Sequence, residues 1–461
     1  MPSFSSNSAA SSRLATAAVA ALACSAFFFT WLGRQPFTDE GSVCHMAMRL
    51  LGGAHLYRDA WNEKAPLHFV LAAQWGRAFG VTVTSLRALA ATEMFVVLLL
   101  LARLVGGARW VAMATALLVA PWYQAHHGVQ EATLAPLALA TIEASTASGW
   151  LSLAAAGVLA ASGCWVKQSF VAILPAFADE TRPRLVVLAG ATLAAALAWL
   201  AVFYLHCGDA IWQMPPFGQR EAALPYVTGI WSEDKTILLV HTSAIVALIL
   251  ATTRLGSDVL TRRLAASAFW MALPALLRPG AFRAWPSAVL AIAAVCRVIA
   301  SATPAQQRRW SAALLAPAIA VGVARIAIHD GNYSTLANVA ARVDSLTEPG
   351  APIWVGPHEA LIYCLSGHHA ATRVDFALPW SPAPSMRAAL LEQLAAAPPQ
   401  VIVDASDAYQ RWQGRLEDSL PGIGSLLDSR YRHVDTIGGF AIWQRADPAA
   451  IPLPTAQPSH N

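Results

Sequence analysis

The sequence has few charged residues and almost no lysine. Only 13% of its 461 residues are charged, and its three lysines are Lys64, Lys167 and Lys235. The net charge of +4 is small, and the 28 arginines are scattered along the chain. A nucleic-acid partner has no support, because nucleic-acid-binding domains concentrate basic residues on one face.

Paired cysteines are absent as well. The six cysteines lie singly, mostly inside apolar runs, and no Cys-x-x-Cys motif occurs. This distribution does not favour a disulfide framework or a thiolate metal site. It is typical of small buried apolar side chains.

Long apolar runs are abundant, since 56% of the residues are hydrophobic. Runs near 20 residues match a hydrocarbon core of about 30 Å, so the sequence predicts an α-helical multi-pass membrane protein with about eleven transmembrane helices. Residues 66–80 are too short and polar to cross, and an amphipathic interfacial helix is expected there. The expected crossings are 14–32, 86–104, 109–125, 132–148, 150–166, 168–180, 185–206, 236–253, 264–278, 283–300 and 310–328.

The composition also divides the chain into regions. Apolar runs dominate residues 13–330, which form the transmembrane domain with a first external loop at 34–80. Short β-like runs and a helical run in residues 331–448 predict a small α/β domain. The Ser/Ala-rich residues 1–12 and the Pro-rich residues 449–461 are expected to be disordered.

The arginines predict the orientation. Short cytoplasmic loops collect Arg and Lys, and the expected loops on the side of Arg13 hold most of the arginine clusters. The N-terminus is then cytoplasmic, and an odd number of crossings makes the α/β domain extracytoplasmic. The predicted location is the cell (cytoplasmic) membrane.

The first external loop carries an unusual density of charge. Its carboxylates are Asp39, Glu40, Asp59 and Glu63. A carboxylate at a membrane surface can serve as a general base or hold a divalent metal. Asp39 is also a suitable cap for a helix that begins near Gly41, and capping and catalysis are compatible.

Other polar residues lie at the ends of apolar runs. Glu131 starts a predicted crossing, where an ionisable group is costly without a partner or a function. His126 and His127 are open to two interpretations, as metal ligands or as polar residues at the interface. Lys64 is placed to bind a lipid phosphate, or alternatively to form a surface pair. Lys167, Gln168, Arg278 and Arg283 are placed to contact a phosphate together, and each Arg or Lys is alternatively an anchor at the interface.

Several segments resemble the membrane-embedded GT-C glycosyltransferases, including the bacterial relatives of protein O-mannosyltransferases and of the aminoarabinose transferase. No segment is specific alone, and their order carries the resemblance. These segments are TDEG (38–41), LLGGAHLYRDAWNEKAPL (50–67), HHGVQEATLAPLAL (126–139), ASGCWVKQSFVAILP (161–175), RAWPSAVLAI (283–292) and the C-terminal PGAPIWV, LIYCLSG and PPQVIVD. Two positions depart from the pattern, since Glu131 replaces a common Asp and Arg283-Ala284-Trp285 replaces His-Tyr.

The resemblance implies roles for particular residues. Asp39 and Glu131 are the expected catalytic carboxylates, with Asp39 as the base toward the acceptor. Glu63 is the expected ligand of a divalent metal, should the enzyme use one. The expected substrate-binding residues are Glu40, Glu63, Lys64, Lys167, Gln168 and Arg283.

These features predict an inverting hexosyl- or pentosyltransferase. It would move a sugar from a polyprenyl-phosphate donor to a glycan, lipid or protein acceptor on the extracytoplasmic face, in contact with membrane lipid. The alternatives are a transporter or flippase of a lipid-linked substrate and a silent membrane scaffold. The sequence shows no clear internal repeat, although many transporters are built from two related halves.

Overall fold

The computed structural model describes residues 5–32, 34, 38–123, 125, 127–214, 258–277, 281–327, 333–378, 381–408 and 414–446. The predicted crossing at 236–253, the C-terminal tail and residues His126 and Arg278 lie outside this part of the chain.

Helices form most of the described chain. α1 begins at Ser5, inside the N-terminal segment that we expected to be disordered. Residues 168–180, predicted as a crossing, contain a 3-10 helix at Gln168–Phe177. The helices are α1 Ser5–Trp31, α2 Thr38–Leu51, α3 Pro66–Phe79, α4 Val83–Val105, α5 Arg109–Val119, α6 Gln130–Thr146, α7 Trp150–Val166, α8 Arg182–Cys207, α9 Val259–Leu277, α10 Trp285–Ser301 and α11 Pro304–Ala327, with further 3-10 helices at Gly106–Ala108, Gly208–Gln213 and Ala281–Ala284.

Within the described residues, three helical stretches are long and apolar enough to cross a membrane. They are Ser11–Trp31, Val83–Val119 and Arg182–Gln213. The apolar helices α7 and α10 are shorter, at 17 residues each. The count of eleven crossings therefore stays a prediction.

The helices pack through small residues. Ala135, Ala138 and Ala293 are fully buried in the largest apolar cluster of the protein. A Cβ built on Gly157 of α7 would lie 2.8 Å from the carbonyl oxygen of Leu188 in α8. Small side chains allow such close approach, which replaces the hydrophobic effect as a source of helix association inside a bilayer.

The C-terminal part contains one mixed four-stranded sheet in the order β1-β2-β4-β3. β1 and β2 are parallel, with Val355 opposite Val403, and the other two pairs are antiparallel. The elements are α12 Tyr333–Leu346, β1 Trp354–Gly356, α13 Leu361–Ser366, α14 Pro384–Ala396, β2 Val401–Asp404, α15 Leu416–Ser419, α16 Ile423–Arg430, β3 Tyr431–Ile437 and β4 Phe440–Arg445.

The first external loop, residues 34–80, packs between the helical bundle and this α/β part. His45 of α2 has Nδ1 2.5 Å from Oδ2 of Asp375 and stacks on the ring of Tyr363 at 4.2 Å. The backbone of Trp61 pairs with Val374 in an isolated parallel bridge. The two most polar parts of the chain thus lie together at one end of the bundle.

The opposite end of the bundle holds a separate set of ion pairs. Arg184 and Arg263 contact Glu180 at 2.7 and 2.8 Å, and Arg297 contacts Asp258 at 3.1 Å. These three arginines belong to the predicted cytoplasmic loops, and they pair with carboxylates outside the first loop. The side of the membrane that each end faces remains a prediction.

Gly41 is required where α2 crosses α13. A Cβ on Gly41 would lie 2.5 Å from the backbone nitrogen of Leu361. We expect Gly41→Ala to lower the free energy of unfolding by about 1–3 kcal/mol, because overpacking forces the two backbones apart. Unfolding in mixed detergent micelles measures this change.

Gly190 provides the matched control. It lies in α8 with no atom within 4 Å of a built Cβ. Gly190→Ala should leave stability unchanged or raise it slightly, since Ala is the better helix former. Equal stability of the two variants would contradict the assigned contact.

Candidate active site

The site is built on the first turn of α2. Asp39 and Glu40 are the acidic residues of that turn, where the helix dipole favours negative charge. Asp39 Oδ1 lies 2.6 Å from Nζ of Lys64, and the two side chains are 25% and 17% exposed. The pair is accessible to a ligand but screened from bulk water.

The turn before α3 holds Lys64 in place. The hydroxyl of Tyr57 donates a hydrogen bond to the carbonyl of Lys64 at 2.7 Å, and the backbone nitrogen of Lys64 donates to Oδ1 of Asn62 at 3.1 Å. Tyr57 adopts a φ of 61°, which is rare for a bulky residue. Its full burial stabilises this conformation and holds the backbone from which the Lys64 side chain extends.

Glu131 and Lys167 form a second pair. Glu131 Oε1 contacts Nζ of Lys167, and Glu131 is buried whereas Lys167 is half-buried. Gln130 donates a hydrogen bond to the carbonyl of Val166 at 2.6 Å, which joins the start of α6 to the end of α7. Gln168 is half-buried at the start of the following 3-10 helix.

Arg283 connects the two pairs. It interacts electrostatically with Glu131, Asp39 and Glu63. Residues more than 240 positions apart in the sequence thus meet in one cluster. Three carboxylates, Asp39, Glu63 and Glu131, balance three cations, Lys64, Lys167 and Arg283.

The α/β part adds a histidine that the sequence analysis missed. His358 follows β1 by two residues, and its Nε2 lies 2.9 Å from Oγ of Ser42. Burial lowers the pKa of His358, although Asp39 nearby opposes the shift. A polar residue just beyond the carboxyl end of a buried strand was the available signal.

The charges around Asp39 set its protonation state. Burial alone raises the pKa of Asp39, but Lys64, His358 and Arg283 lower it, and the pKa stands well below its usual range. Asp39 is therefore ionised in the free protein. As long as Lys64 stays this close, Asp39 is a weak base.

Glu40 has a different environment from the one we predicted. Its side chain is 0% exposed and pairs with Arg87 at 3.0 and 3.2 Å and with Nδ1 of His127 at 3.0 Å. Arg87 also donates to the carbonyls of Trp31, Leu32 and Arg34. Glu40 thus joins α2 to α4 through Arg87, and its predicted contact with substrate stays a prediction.

Arg87 and His127 decide the ionisation of Glu40. Burial raises the pKa of Glu40, but these two partners lower it to about 2. The partnership with Glu40 also accounts for His127 without a metal.

The fold matches solved structures over nearly its whole length. ArnT from Cupriavidus metallidurans bound to undecaprenyl phosphate matches with a TM-score of 0.62 and 11% identity, over 97% of this chain and 100% of that chain. ArnT in the apo state gives 0.61 and 13%, over 95% and 98%. The chain has the fold of ArnT. An Archaeoglobus fulgidus oligosaccharyltransferase, crystallised with zinc and sulfate, gives 0.49 and 13%, over 90% and 71%.

The similarity to ArnT over nearly the whole chain is found by comparing structures, at 11% and 13% sequence identity. No protein-family model matches the chain, and no curated protein sequence is similar to it. The predicted resemblance to the GT-C glycosyltransferases is confirmed for the fold. Together with the apolar helices, the ArnT fold identifies a helical membrane protein.

The residues present do not fit the predicted metal site. Among the described residues, no three His, Cys, Asp or Glu side chains group as ligands. Asp39 and Glu131 are already paired with ammonium groups, and Glu63 lies near Arg283 and His358. Hard divalent cations need several oxygen ligands, which this charge-balanced cluster does not offer.

The buried pair of Glu40 and Arg87 should be essential for stability. We expect Arg87→Met to lower the free energy of unfolding by about 3–5 kcal/mol, because it leaves a carboxylate buried without its main partner. Adding Glu40→Gln should recover part of the loss. Unfolding in mixed detergent micelles, with the single and double variants side by side, measures both effects.

An ion pair with an exposed arginine offers the control for this measurement. Arg103 contacts Glu143 at the other end of the bundle, and its side chain is 78% exposed. Arg103→Met should cost less than about 1 kcal/mol. If Arg87→Met costs no more than Arg103→Met, Glu40 does not depend on Arg87.

Proposed function

We propose that the protein is a glycosyltransferase that moves a sugar from a polyprenyl-phosphate donor to an acceptor on the extracytoplasmic face of the cell membrane. The observation that carries this proposal is the cluster of three carboxylates and three cations, Asp39–Lys64, Glu131–Lys167, Glu63 and Arg283, on a fold shared with ArnT. Fixed charges of this kind stabilise the charge that develops during a transfer reaction in a site screened from bulk water.

The cations are suited to the donor phosphate. Lys64, Lys167 and Arg283 converge at the end of the bundle, and one ArnT structure contains undecaprenyl phosphate. In the free protein, the carboxylates hold these cations in place. A donor phosphate would compete for the same cations, and its leaving oxygen gains negative charge as the sugar departs, so their attraction is strongest in the transition state.

Asp39 is the proposed base. When the donor phosphate draws Lys64 away, the main electrostatic partner of Asp39 weakens and its pKa rises toward its usual value. Asp39 then accepts the proton of the acceptor nucleophile. The nucleophile bonds to the anomeric carbon, and the electron pair of the broken bond passes to the phosphate oxygen. One direct displacement inverts that centre.

Glu131 and the α/β part would organise the site. Glu131 holds Lys167 against α6, so that the ammonium group is oriented before the donor arrives. His358, which is buried, brings the α/β part against the first turns of α2, beside the cluster. The acceptor is a glycan, lipid or protein, and we assign no metal-dependent step. No observation favours the transporter alternative.

Removing either central carboxylate should abolish most of the activity. We expect Asp39→Asn to lower sugar transfer by about 10²–10⁴-fold, the usual contribution of a general base. Glu131→Gln should lower it as well, because Lys167 loses its orienting partner. Transfer from a radiolabelled polyprenyl-phosphate-sugar pool in membranes, at equal protein levels, measures both.

Asp59→Asn is the matched control. Asp59 is an acidic residue of the same loop, but it pairs with the exposed Arg58 and with His55 and lies outside the cluster. Transfer by this variant should equal that of the wild type. Full activity of Asp39→Asn would remove the proposed base, and donor movement across the membrane without transfer would favour a transporter.

Lys64→Met should affect the donor more than the acceptor. Loss of the ammonium group removes attraction to the phosphate, so we expect the KM for the donor to rise and kcat to fall by about 10²-fold or more. The KM for the acceptor should change little. A variant with an unchanged donor KM and kcat would show that the phosphate binds elsewhere.

A further inference from the structure

A buried carboxyl group lies beneath the cluster, in the apolar helix α4. Glu93 is 8% exposed, and among the described residues its Oε2 has no hydrogen-bond partner. Its Oε1 lies 2.5 Å from Oγ1 of Thr133 in α6. An ionisable group at such a position is costly unless it has a partner or a function.

The contact continues through Thr133 to a histidine. Oγ1 of Thr133 lies 3.1 Å from Nδ1 of His68 in α3, and Nε2 of His68 lies 3.2 Å from the carbonyl oxygen of Gly128. His68 and Thr133 are fully buried or nearly so. The four groups form one continuous chain across three helices.

When one acidic proton is divided between Glu93 and His68, counting hydrogens leaves two states. The Gly128 carbonyl can only accept, so Nε2 of His68 carries a hydrogen. Thr133 has a single hydroxyl hydrogen, which it can give either to His68 or to Glu93. In the first state, Glu93 is a neutral acid that donates to Thr133, and His68 is neutral. In the second, Glu93 is a carboxylate and His68 is a cation.

The surroundings favour the neutral state. A carboxylate would have one oxygen buried without any partner, whereas a neutral acid leaves only a carbonyl oxygen in that place, at much lower cost. Burial lowers the pKa of His68 to about 4, in spite of the hydrogen bond to Gly128 and the nearby Glu131. A neutral imidazole agrees with the same state.

We propose that Glu93, Thr133 and His68 form an uncharged, hydrogen-bonded chain beneath the candidate active site, in which Glu93 is a protonated acid. Glu93 is a positioning residue that acts through Thr133 and His68. The chain joins α3, α4 and α6 close to Lys64 and Glu131.

The uncharged chain preserves the balance of carboxylates and cations in the cluster above it. His68 lies within electrostatic range of Lys64, Lys167 and Glu131. A carboxylate below these residues would compete for the two lysines and would repel an anionic ligand. This consequence rests on the proposed function, because it concerns the binding of a donor phosphate, whereas the protonation state does not.

Infrared spectroscopy tests the protonation state without any substrate. We expect the purified full-length protein at neutral pH to show a C=O stretching band of a buried carboxylic acid that is lost in Glu93→Gln. Glu143→Gln, a change at a carboxylate paired with Arg103, should leave the band in place. A difference spectrum that shows a lost carboxylate band in Glu93→Gln would overturn the proposal.

Activity tests the positioning role separately. Glu93→Gln mimics the neutral acid and Thr133→Ser keeps the hydroxyl, so both should retain transfer within a few-fold of the wild type, with the same pH profile. Glu93→Leu and Thr133→Val interrupt the chain and should raise the donor KM at least tenfold. Loss of transfer in Glu93→Gln would overturn the positioning role. Absence of transfer in the wild type would count against the proposed function alone, since the infrared result would stand.

Discussion

A fully buried carboxylate, Glu40, can be accommodated in this fold only because Arg87 and His127 satisfy it. A single buried charge costs several kcal/mol, and the pair together with the three backbone carbonyls bound by Arg87 offsets that cost. This contact holds the first turn of α2 against the N-terminal end of α4. Since Asp39 precedes Glu40 in the same turn, its height above the bundle follows from the same interaction.

The α/β part completes the seating of α2 from the other side. The crossing at Gly41 and the contact of His45 with Asp375 leave α2 little freedom, so Asp39 faces Lys64 and His358 in a narrow layer between the two parts of the protein. Rigidly held charges cost no reorganisation when a ligand arrives, which is the property that electrostatic catalysis requires.

Charge neutrality governs this layer and the region below it. Three carboxylates face three cations, and the proposed neutral chain of Glu93, Thr133 and His68 adds no net charge. In a protein with few charged residues, each unpaired charge would be costly near a bilayer, which explains why the cations of the cluster are balanced by carboxylates. The predicted site of a divalent metal at Glu63 lacks a ligand set within the described residues for the same reason.

The sequence by itself indicated the class of the protein, a helical membrane protein, and most of the candidate site residues. Apolar run length predicts helices, and scarce charged residues at the ends of apolar runs made Asp39, Lys64, Glu131, Lys167 and Arg283 candidates, to which the family resemblance assigned roles. Only the tertiary structure decided how they pair, because pairing depends on residues far apart in sequence. It also separated Glu40 from its neighbour Asp39, since burial against Arg87 is a property of packing. His358 and the chain through Glu93 were not recognised for the same reason: their significance depends on partners that only the folded chain brings together.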